Sequence, residues 1–293
     1  MTTAATQLIA LLGHPVAHSL SPAMLTRAFS RYAIDAVYTA FDVPPTMLPS
    51  AVRGLTSLGA RGANVTAPHK RAVLNLADVV DPLARRVGAA NVLTFASGRV
   101  HARNTDAPAL VQALRVGGCE TRDARAVVVG AGGAGRAAAV GLADAGASVT
   151  VLARRESEAA LVAAIVGGTC HSLDDFARVR EAFRSASIAV QATSVGMTSS
   201  VVAGARAPRP DEDAFDAARA GVGFMARGSF AMDLVYAPRE TAWLAGARSA
   251  GHSCIDGLGM LTWQSAFALR EWFGVDVAGD ELRALLDVAA APE

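Results

Sequence analysis

The stretch ARAVVVGAGGAGRAAAVGLADAGASVTVLARRE, from Ala124 to Glu156, constrains the fold of this chain more than any other. The apolar run Ala126–Val129 reads as a strand. Gly130-Ala131-Gly132-Gly133-Ala134-Gly135 follows and fits the pattern G-x-G-x-x-G. A helix of small residues comes next, and then a second strand, Ser148–Leu152. Two strands joined through a helix in this way belong to one parallel sheet. Glycines at the turn let the chain bend sharply and let a pyrophosphate approach the backbone at the helix N-terminus. The pattern therefore predicts a dinucleotide site, against the plain alternative of a glycine-rich turn in an alanine-rich domain. An NAD site usually places Asp or Glu at the end of the second strand, to hold the ribose 2′-hydroxyl. Ala153-Arg154-Arg155 stands there instead. Two guanidinium groups suit a 2′-phosphate, so NADP is expected. Glu156 follows at once and can approach the ribose, which leaves NAD use open.

The rest of the 293-residue chain is long enough for a second core. Short apolar runs alternate with amphipathic stretches. QLIALLG, VYTAFDV and GANVT read as strands. SPAMLTRAFSRY reads as a helix with Ser21 as N-cap and Pro22 in its first position. TMLPSAVRGLTSLG reads as a second helix, and VLTFASGRVHA as a hairpin about Ser97-Gly98. SIAVQAT and FAMDLVY read as further strands of the dinucleotide sheet, and residues 200–223 as a surface excursion. The expected fold is two-domain α/β, with mostly parallel sheets. Residues 1–107, completed by helices in 256–293, form an N-terminal α/β substrate domain. Residues 108–255 form a Rossmann-type NADP-binding domain.

The net charge is +1, which gives no reason to expect nucleic acid or a membrane surface as partner. No apolar run is long enough to span a bilayer. The N-terminus lacks the basic region of a signal peptide. Cys119, Cys170 and Cys254 show no disulfide or metal-binding spacing. A cytoplasmic protein with three idle thiols is expected. His14, His18 and His69 are close in sequence, but no carboxylate or cysteine stands at ligand spacing, so no metal site is expected.

Within the first half, small polar side chains fall at predicted strand ends, where open α/β sheets gather ligands. These are Ser19 and Ser21, then Asn64, Thr66 and Lys70, then Asn91, then Asn104-Thr105-Asp106. Hydroxyls, amides, one cation and one carboxylate suit a small, polyhydroxylated, anionic molecule. Lys70 is the only lysine beside 26 arginines. An arginine holds its proton at any working pH, whereas a lysine can release it. Each position also has a purely structural reading. Asp106 and Ser21 can cap helices, and Asn64 and Thr66 can end a strand. Gln264 sits on an otherwise apolar helix face and needs a partner, which a substrate hydroxyl could supply.

These segments are similar to the shikimate dehydrogenase family. The matching stretches are Gly13-His14-Pro15 with His18-Ser19-Leu20-Ser21-Pro22, Asn64-Val65-Thr66-Ala67-Pro68-His69-Lys70, Gly88-Ala89-Ala90-Asn91, and Asn104-Thr105-Asp106. Further along come Gly130 to Ala134, Ala192-Thr193-Ser194-Val195-Gly196-Met197, Met232-Asp233-Leu234-Val235-Tyr236, and Asp256-Gly257-Leu258-Gly259-Met260-Leu261 with Gln264. They occur in family order over nearly the whole chain.

The resemblance implies NADP-dependent, reversible reduction of 3-dehydroshikimate to shikimate, a step of aromatic amino acid biosynthesis, by a monomer or homodimer. It implies Lys70 and Asp106 as the catalytic pair. Ser19, Ser21 and Tyr236 would hold the substrate carboxylate, and Asn64, Thr66, Asn91 and Gln264 the ring hydroxyls. Gly130, Ala131, Gly132, Gly133, Ala134, Arg154, Arg155 and Gly257 would contact the cofactor, with Thr193, Met197 and Met232 along its reactive side. The chain departs from the family at Leu25-Thr26 for His-Asn, Val92 for Thr, Ala107 for Gly, Ala153-Arg154-Arg155 for Asn-Arg-Thr, and Gln191 for Asn. The Arg-Arg-acid sequence resembles the branch that accepts quinate and tolerates NAD. A quinate or aminoshikimate dehydrogenase is therefore the alternative within the family, and the rival from another functional class is a ligand-sensing homologue that kept the fold and lost the chemistry.

Overall fold

A computed structural model describes residues 2–197 and 221–287. The chain divides into two compact units, one comprising Met1–Thr105 with Leu261–Glu293, the other Asp106–Met260. Each is α/β.

The first unit holds β1 (Gln7–Gly13), α1 (Ser21–Arg31), β2 (Ala36–Asp42), α2 (Leu48–Ser57), β3 (Gly62–Val65), β4 (Val79–Val80), α3 (Pro82–Val87), β5 (Val92–Ala96) and β6 (Arg99–Arg103). The strands form one sheet in the order β2-β1-β3-β5-β6-β4. β1 pairs in parallel with β2 and β3, but β5 runs antiparallel to β3 and β6. This sheet is mostly parallel, as expected, with β5 alone running against the other five strands, because the β5–β6 hairpin enters it as a unit. Ser97 (φ 53°) and Gly98 (φ 71°) both take left-handed conformations, which gives the tight hairpin turn that suits strand twist. Helix α1 starts at Ser21 with Leu20 in the capping position. Ser21 is thus not the N-cap, and Pro22 is the second helical residue. The Ser19 hydroxyl accepts the free backbone N–H of Ser21 (3.2 Å), one of the donors a helix start leaves unpaired.

Ala10, Leu12, Val52, Leu55, Ala63, Val65, Leu93 and Val100 build one core of this unit. The other side is sealed by the end of a late helix. A Cβ on Gly62 would lie 2.2 Å from Nε1 of Trp272, so only glycine fits below that ring. Trp272 Nε1 donates to the Leu93 carbonyl (2.9 Å), which satisfies the buried indole. Phe273 meets Phe29 edge-on at 5.7 Å.

The second unit holds α4 (Asp106–Val116), β7 (Arg125–Val129), α5 (Gly133–Asp144), β8 (Ser148–Ala153), α6 (Glu156–Val166), β9 (Thr169–Ser172), α7 (Phe176–Ser185), β10 (Ile188–Gln191), β11 (Phe230–Asp233), α8 (Ala242–Ser249) and β12 (Ser253–Ile255). Its sheet is wholly parallel, in the order β12-β11-β10-β7-β8-β9. This is the Rossmann order, which reverses between β7 and β10, where such folds bind their ligand. Phe183 and Trp243, 6.0 Å apart, anchor a core with Val127, Val129, Val179 and Leu244. Helix α9 (Gly257–Phe273) begins in this unit and ends in the first, and α10 (Gly279–Asp287) follows it. Residues 200–220 of the expected excursion lie outside the described residues. Its last part is no excursion: Val222 is buried in the core beside Phe183. Cys119 is buried, and burial pushes its thiol up to about 11, which leaves it unreactive. No helix among the described residues is long and apolar enough to cross a membrane.

Candidate active site

In the first unit a hydrogen-bond chain links several of the expected residues. Asn64, at the end of β3, donates from Nδ2 to the Asn91 carbonyl (3.2 Å). Asn91 donates from Nδ2 both to Thr105 Oγ1 (2.8 Å) and to Gln264 Oε1 (2.9 Å), and its Oδ1 accepts the Thr105 N–H (2.7 Å). Both amide hydrogens of Asn91 are thus engaged. Thr105 Oγ1 donates in turn to the Gln264 carbonyl (3.1 Å). Asn64, Asn91 and Thr105 are buried. Gln264 does not depend on a ligand for its partners, since Nε2 also donates to Ser265 Oγ (3.2 Å). The polar residue on an apolar helix face is thus explained within the fold.

Thr66 follows β3 and packs its methyl against Gly13, where a Cβ would come within 2.4 Å. Lys70 ends the turn that Thr66 begins. Its carbonyl accepts the Ala90 N–H (2.8 Å), and so ties the lysine backbone to the loop carrying Asn91. Lys70 is half-buried. His69 beside it is buried, with Nε2 at 2.7 Å from the Val43 carbonyl, and serves to anchor the turn. Ser19 is half-buried and Ser21 buried.

In the second unit Asp106 is the first residue of α4 and is buried. The glycine-rich turn lies between β7 and α5 as expected. Gly130 takes φ 113°, and a Cβ there would lie 3.1 Å from both the Ala192 carbonyl oxygen and Thr193 Cγ2. A Cβ on Gly135 would lie 2.0 Å from the Gly130 carbonyl oxygen, so this glycine permits helix and strand to meet. At Gly132 the space is open and the residue exposed. The two outer glycines answer to the protein, whereas the middle one leaves room for something outside it. Gly133 and Ala134 begin α5 and are half-exposed, with Ala131 buried. That arrangement fits a pyrophosphate at a helix N-terminus.

Arg154 and Arg155 follow β8 on the surface, and Arg155 Nη2 lies 3.8 Å from Glu158 Oε1. Thr193 and Met197 lie on the turn after β10, whose shape is held by Gln191. The Gln191 side chain accepts the Thr193 N–H and donates to the Val195 carbonyl (3.0 Å). Met232 is fully buried within β11. Tyr236 follows that strand and is half-buried. Gly257 is at the start of α9, where a Cβ would be 2.6 Å from the Leu234 carbonyl oxygen.

Three residues to which the sequence assigns no individual role take part in these networks. Thr105 joins Asn91 to Gln264. Tyr38 donates to Asn64 Oδ1 (2.8 Å). Asp233, fully buried, accepts from Thr241 Oγ1 (2.6 Å), Val235 N (2.9 Å) and Gln191 Nε2 (3.3 Å). Burial pushes the Asp233 carboxyl up to about 6, against the pull of the Thr241 and Val235 hydrogen bonds. Only Thr105 and Asp233 fell inside a recognised motif; Tyr38 carried no local signal.

The family model of the shikimate dehydrogenase substrate binding domain matches residues 11–93, and that of the alanine dehydrogenase/PNT C-terminal domain matches residues 99–235. The chain is 41% identical over 278 residues to shikimate dehydrogenase (NADP(+)) of Moorella thermoacetica, covering 92% of this chain and 89% of that one. It is 38% identical to the enzyme of the same name from Methanopyrus kandleri, covering 96% and 94%. The chain belongs to the shikimate dehydrogenase family. Among solved structures, shikimate 5-dehydrogenase from Thermus thermophilus, in complex with NADP(H) and shikimate, matches with a TM-score of 0.80 at 36% identity, covering 97% of this chain and 99% of that one. The first family model spans Ser19, Ser21, Asn64, Thr66, Lys70 and Asn91, and the second spans the glycine-rich turn and both arginines.

Proposed function

We propose that the chain catalyses the NADP-dependent, reversible reduction of 3-dehydroshikimate to shikimate. The observation that carries the reading is the Asn64–Asn91–Thr105–Gln264 chain, in the unit that also supplies Lys70. Amides and hydroxyls fixed in this way suit a polyhydroxylated ring.

NADPH, when bound, supplies hydride to the ketone carbon. Negative charge then develops on the ketone oxygen. Lys70 stabilises that charge and delivers a proton from its ammonium to the oxygen. A positioned general acid is worth ~10²–10⁴ in rate. Asp106 is the second member of the catalytic pair and accepts a hydrogen bond from a substrate hydroxyl. Ser19, Ser21 and Tyr236 hold the carboxylate, and Asn64, Thr66, Asn91 and Gln264 the hydroxyls. Gly130 to Ala134 receive the pyrophosphate, Arg154 and Arg155 the 2′-phosphate, and Thr193, Met197, Met232 and Gly257 the nicotinamide side. The protein works in the cytoplasm, in keeping with its free cysteines.

Absorbance at 340 nm with shikimate or quinate, and with NADP or NAD, tests this assignment. Shikimate with NADP is expected to give the highest kcat/KM; a higher value for quinate or NAD would reassign substrate or cofactor. Lys70→Ala is expected to fold, to bind NADP and to lose at least ~100-fold in kcat. Near-normal turnover by that variant would remove Lys70 from the chemistry.

A further inference from the structure

Tyr38 lies on β2, at the edge of the first unit's sheet, and Asn64 on β3, with β1 between them. Tyr38 is level with Ile9 and Asn64 with Leu11, so all four side chains share one face. Strands are spaced by about 4.8 Å, which puts β2 and β3 roughly 10 Å apart. Among hydroxyl-bearing side chains only tyrosine is long enough to cross the intervening strand. The Tyr38 ring lies across it, held against Phe29 at 6.5 Å, and the hydroxyl ends 2.8 Å from Asn64 Oδ1. Both residues are buried, Tyr38 at 6% and Asn64 at 4% exposure.

The direction of this bond is determined. Asn64 Nδ2 must face the Asn91 carbonyl, because Oδ1 there would set one acceptor against another. Oδ1 therefore faces Tyr38, and the phenol must donate. Two contacts from opposite sides thus fix the carboxamide plane. One Nδ2 hydrogen goes to Asn91, and the described residues supply no acceptor for the other.

We infer that Tyr38 is a positioning residue for substrate binding, which acts through Asn64 to aim that remaining N–H at a ring hydroxyl. The inference rests on the assignment of Asn64 to the substrate site. Without the phenol hydroxyl, Asn64 Oδ1 is a buried acceptor without its donor, and the amide turns or tilts to find another. The substrate then meets a group that is present but misdirected. The hydroxyl acts on Asn64, in the unit assigned to substrate, so the loss belongs to binding of that one ligand.

The experiment is a double-mutant cycle of Tyr38→Phe and Asn64→Ala, read as KM for shikimate, KM for NADP and kcat. Assays are run well below the measured Tm of each variant, so that loss of fold is seen separately. Tyr38→Phe is expected to raise KM for shikimate roughly tenfold, with KM for NADP and kcat within about twofold. Asn64→Ala is expected to raise KM for shikimate at least as much, and in its background Tyr38→Phe adds nothing further. If Asn64→Ala raises that KM and Tyr38→Phe does not, the positioning role is overturned while the substrate site stands. If Asn64→Ala leaves KM unchanged, the substrate-site assignment falls and the inference with it. A change in both KM values and kcat together would mark Tyr38 as structural only.

Discussion

At the scale of single residues, Lys70 and Asp233 show opposite uses of an ionisable group. Lys70 is half-buried and is the only lysine in an arginine-rich chain. Lys70→Arg keeps the charge but withholds the proton. It is expected to lose most of kcat while NADP still quenches or shifts the protein fluorescence; full activity would limit the lysine to electrostatic support. A lysine-selective reagent can reach only this side chain and the terminal amine, so shikimate should slow inactivation by such a reagent. Asp233 is the buried case. Its carboxyl is raised from 3.8 to about 6, so the folded state favours the neutral form. That favourable contribution is complete below about pH 4 and is lost as pH rises through 6, with a magnitude on the order of 3 kcal/mol. Asp233→Asn can keep the two hydrogen bonds to Oδ1, reverses the one with Thr241, and cannot ionise. The Tm of the variant relative to the parent is expected to increase between pH 4 and pH 7.5; an increase on acidification instead would contradict the sign. The motifs made Lys70, Asn64, Asn91 and Gln264 legible in sequence. They did not reveal that Asn91 and Gln264 bind each other, or that Tyr38 reaches over a strand, because those pairs form only when the sheet is assembled.

At the scale of elements, the glycine-rich turn separates two duties that sequence could only name together. The G-x-G-x-x-G pattern located the turn, its strand and its helix. It could not say which glycine serves the fold and which the ligand. Gly135→Ala puts a methyl 2.0 Å from the Gly130 carbonyl oxygen and is expected to cost about 1–3 kcal/mol or more in stability, seen as a lower Tm. Gly132→Ala meets no protein atom and keeps an extended backbone that alanine accepts (φ −73°, ψ −171°). It is expected to leave Tm nearly unchanged and raise KM for NADP roughly tenfold, because its methyl occupies the side open to a pyrophosphate. The reverse pattern in the two variants would exchange their duties. Helix α1 starts one residue earlier than its sequence predicts for a similar reason. Ser19, Ser21 and Pro22 all favour a helix start, and only the geometry shows that Ser19 takes up the loose N–H. The hairpin at Ser97-Gly98 was legible because both residues tolerate left-handed backbone, whereas its antiparallel insertion into the sheet was not.

At the scale of the whole molecule, the chain leaves its first unit at Thr105 and re-enters it at Leu261, part-way along α9. The alternation of strands and helices predicted an α/β fold with a Rossmann sheet, and the structure has one. The sealing of Gly62 by Trp272 lay beyond sequence reading, since more than two hundred residues separate the partners. Trp272→Ala is expected to lower the Tm by an amount equivalent to about 3–5 kcal/mol and, at a temperature where the variant is folded, to raise KM for shikimate more than KM for NADP. Equal effects on both constants would show that the ring does not serve the first unit in particular. The same placement governs how the protein is made. A ribosome adds about 5–20 residues per second, so the interval between Thr105 and Leu261 lasts on the order of ten to thirty seconds. Throughout it the nascent first sheet lacks Trp272 over Gly62, while the dinucleotide unit emerges behind it. The sequence of the second unit is thus complete before the ring that closes over Gly62 has been made.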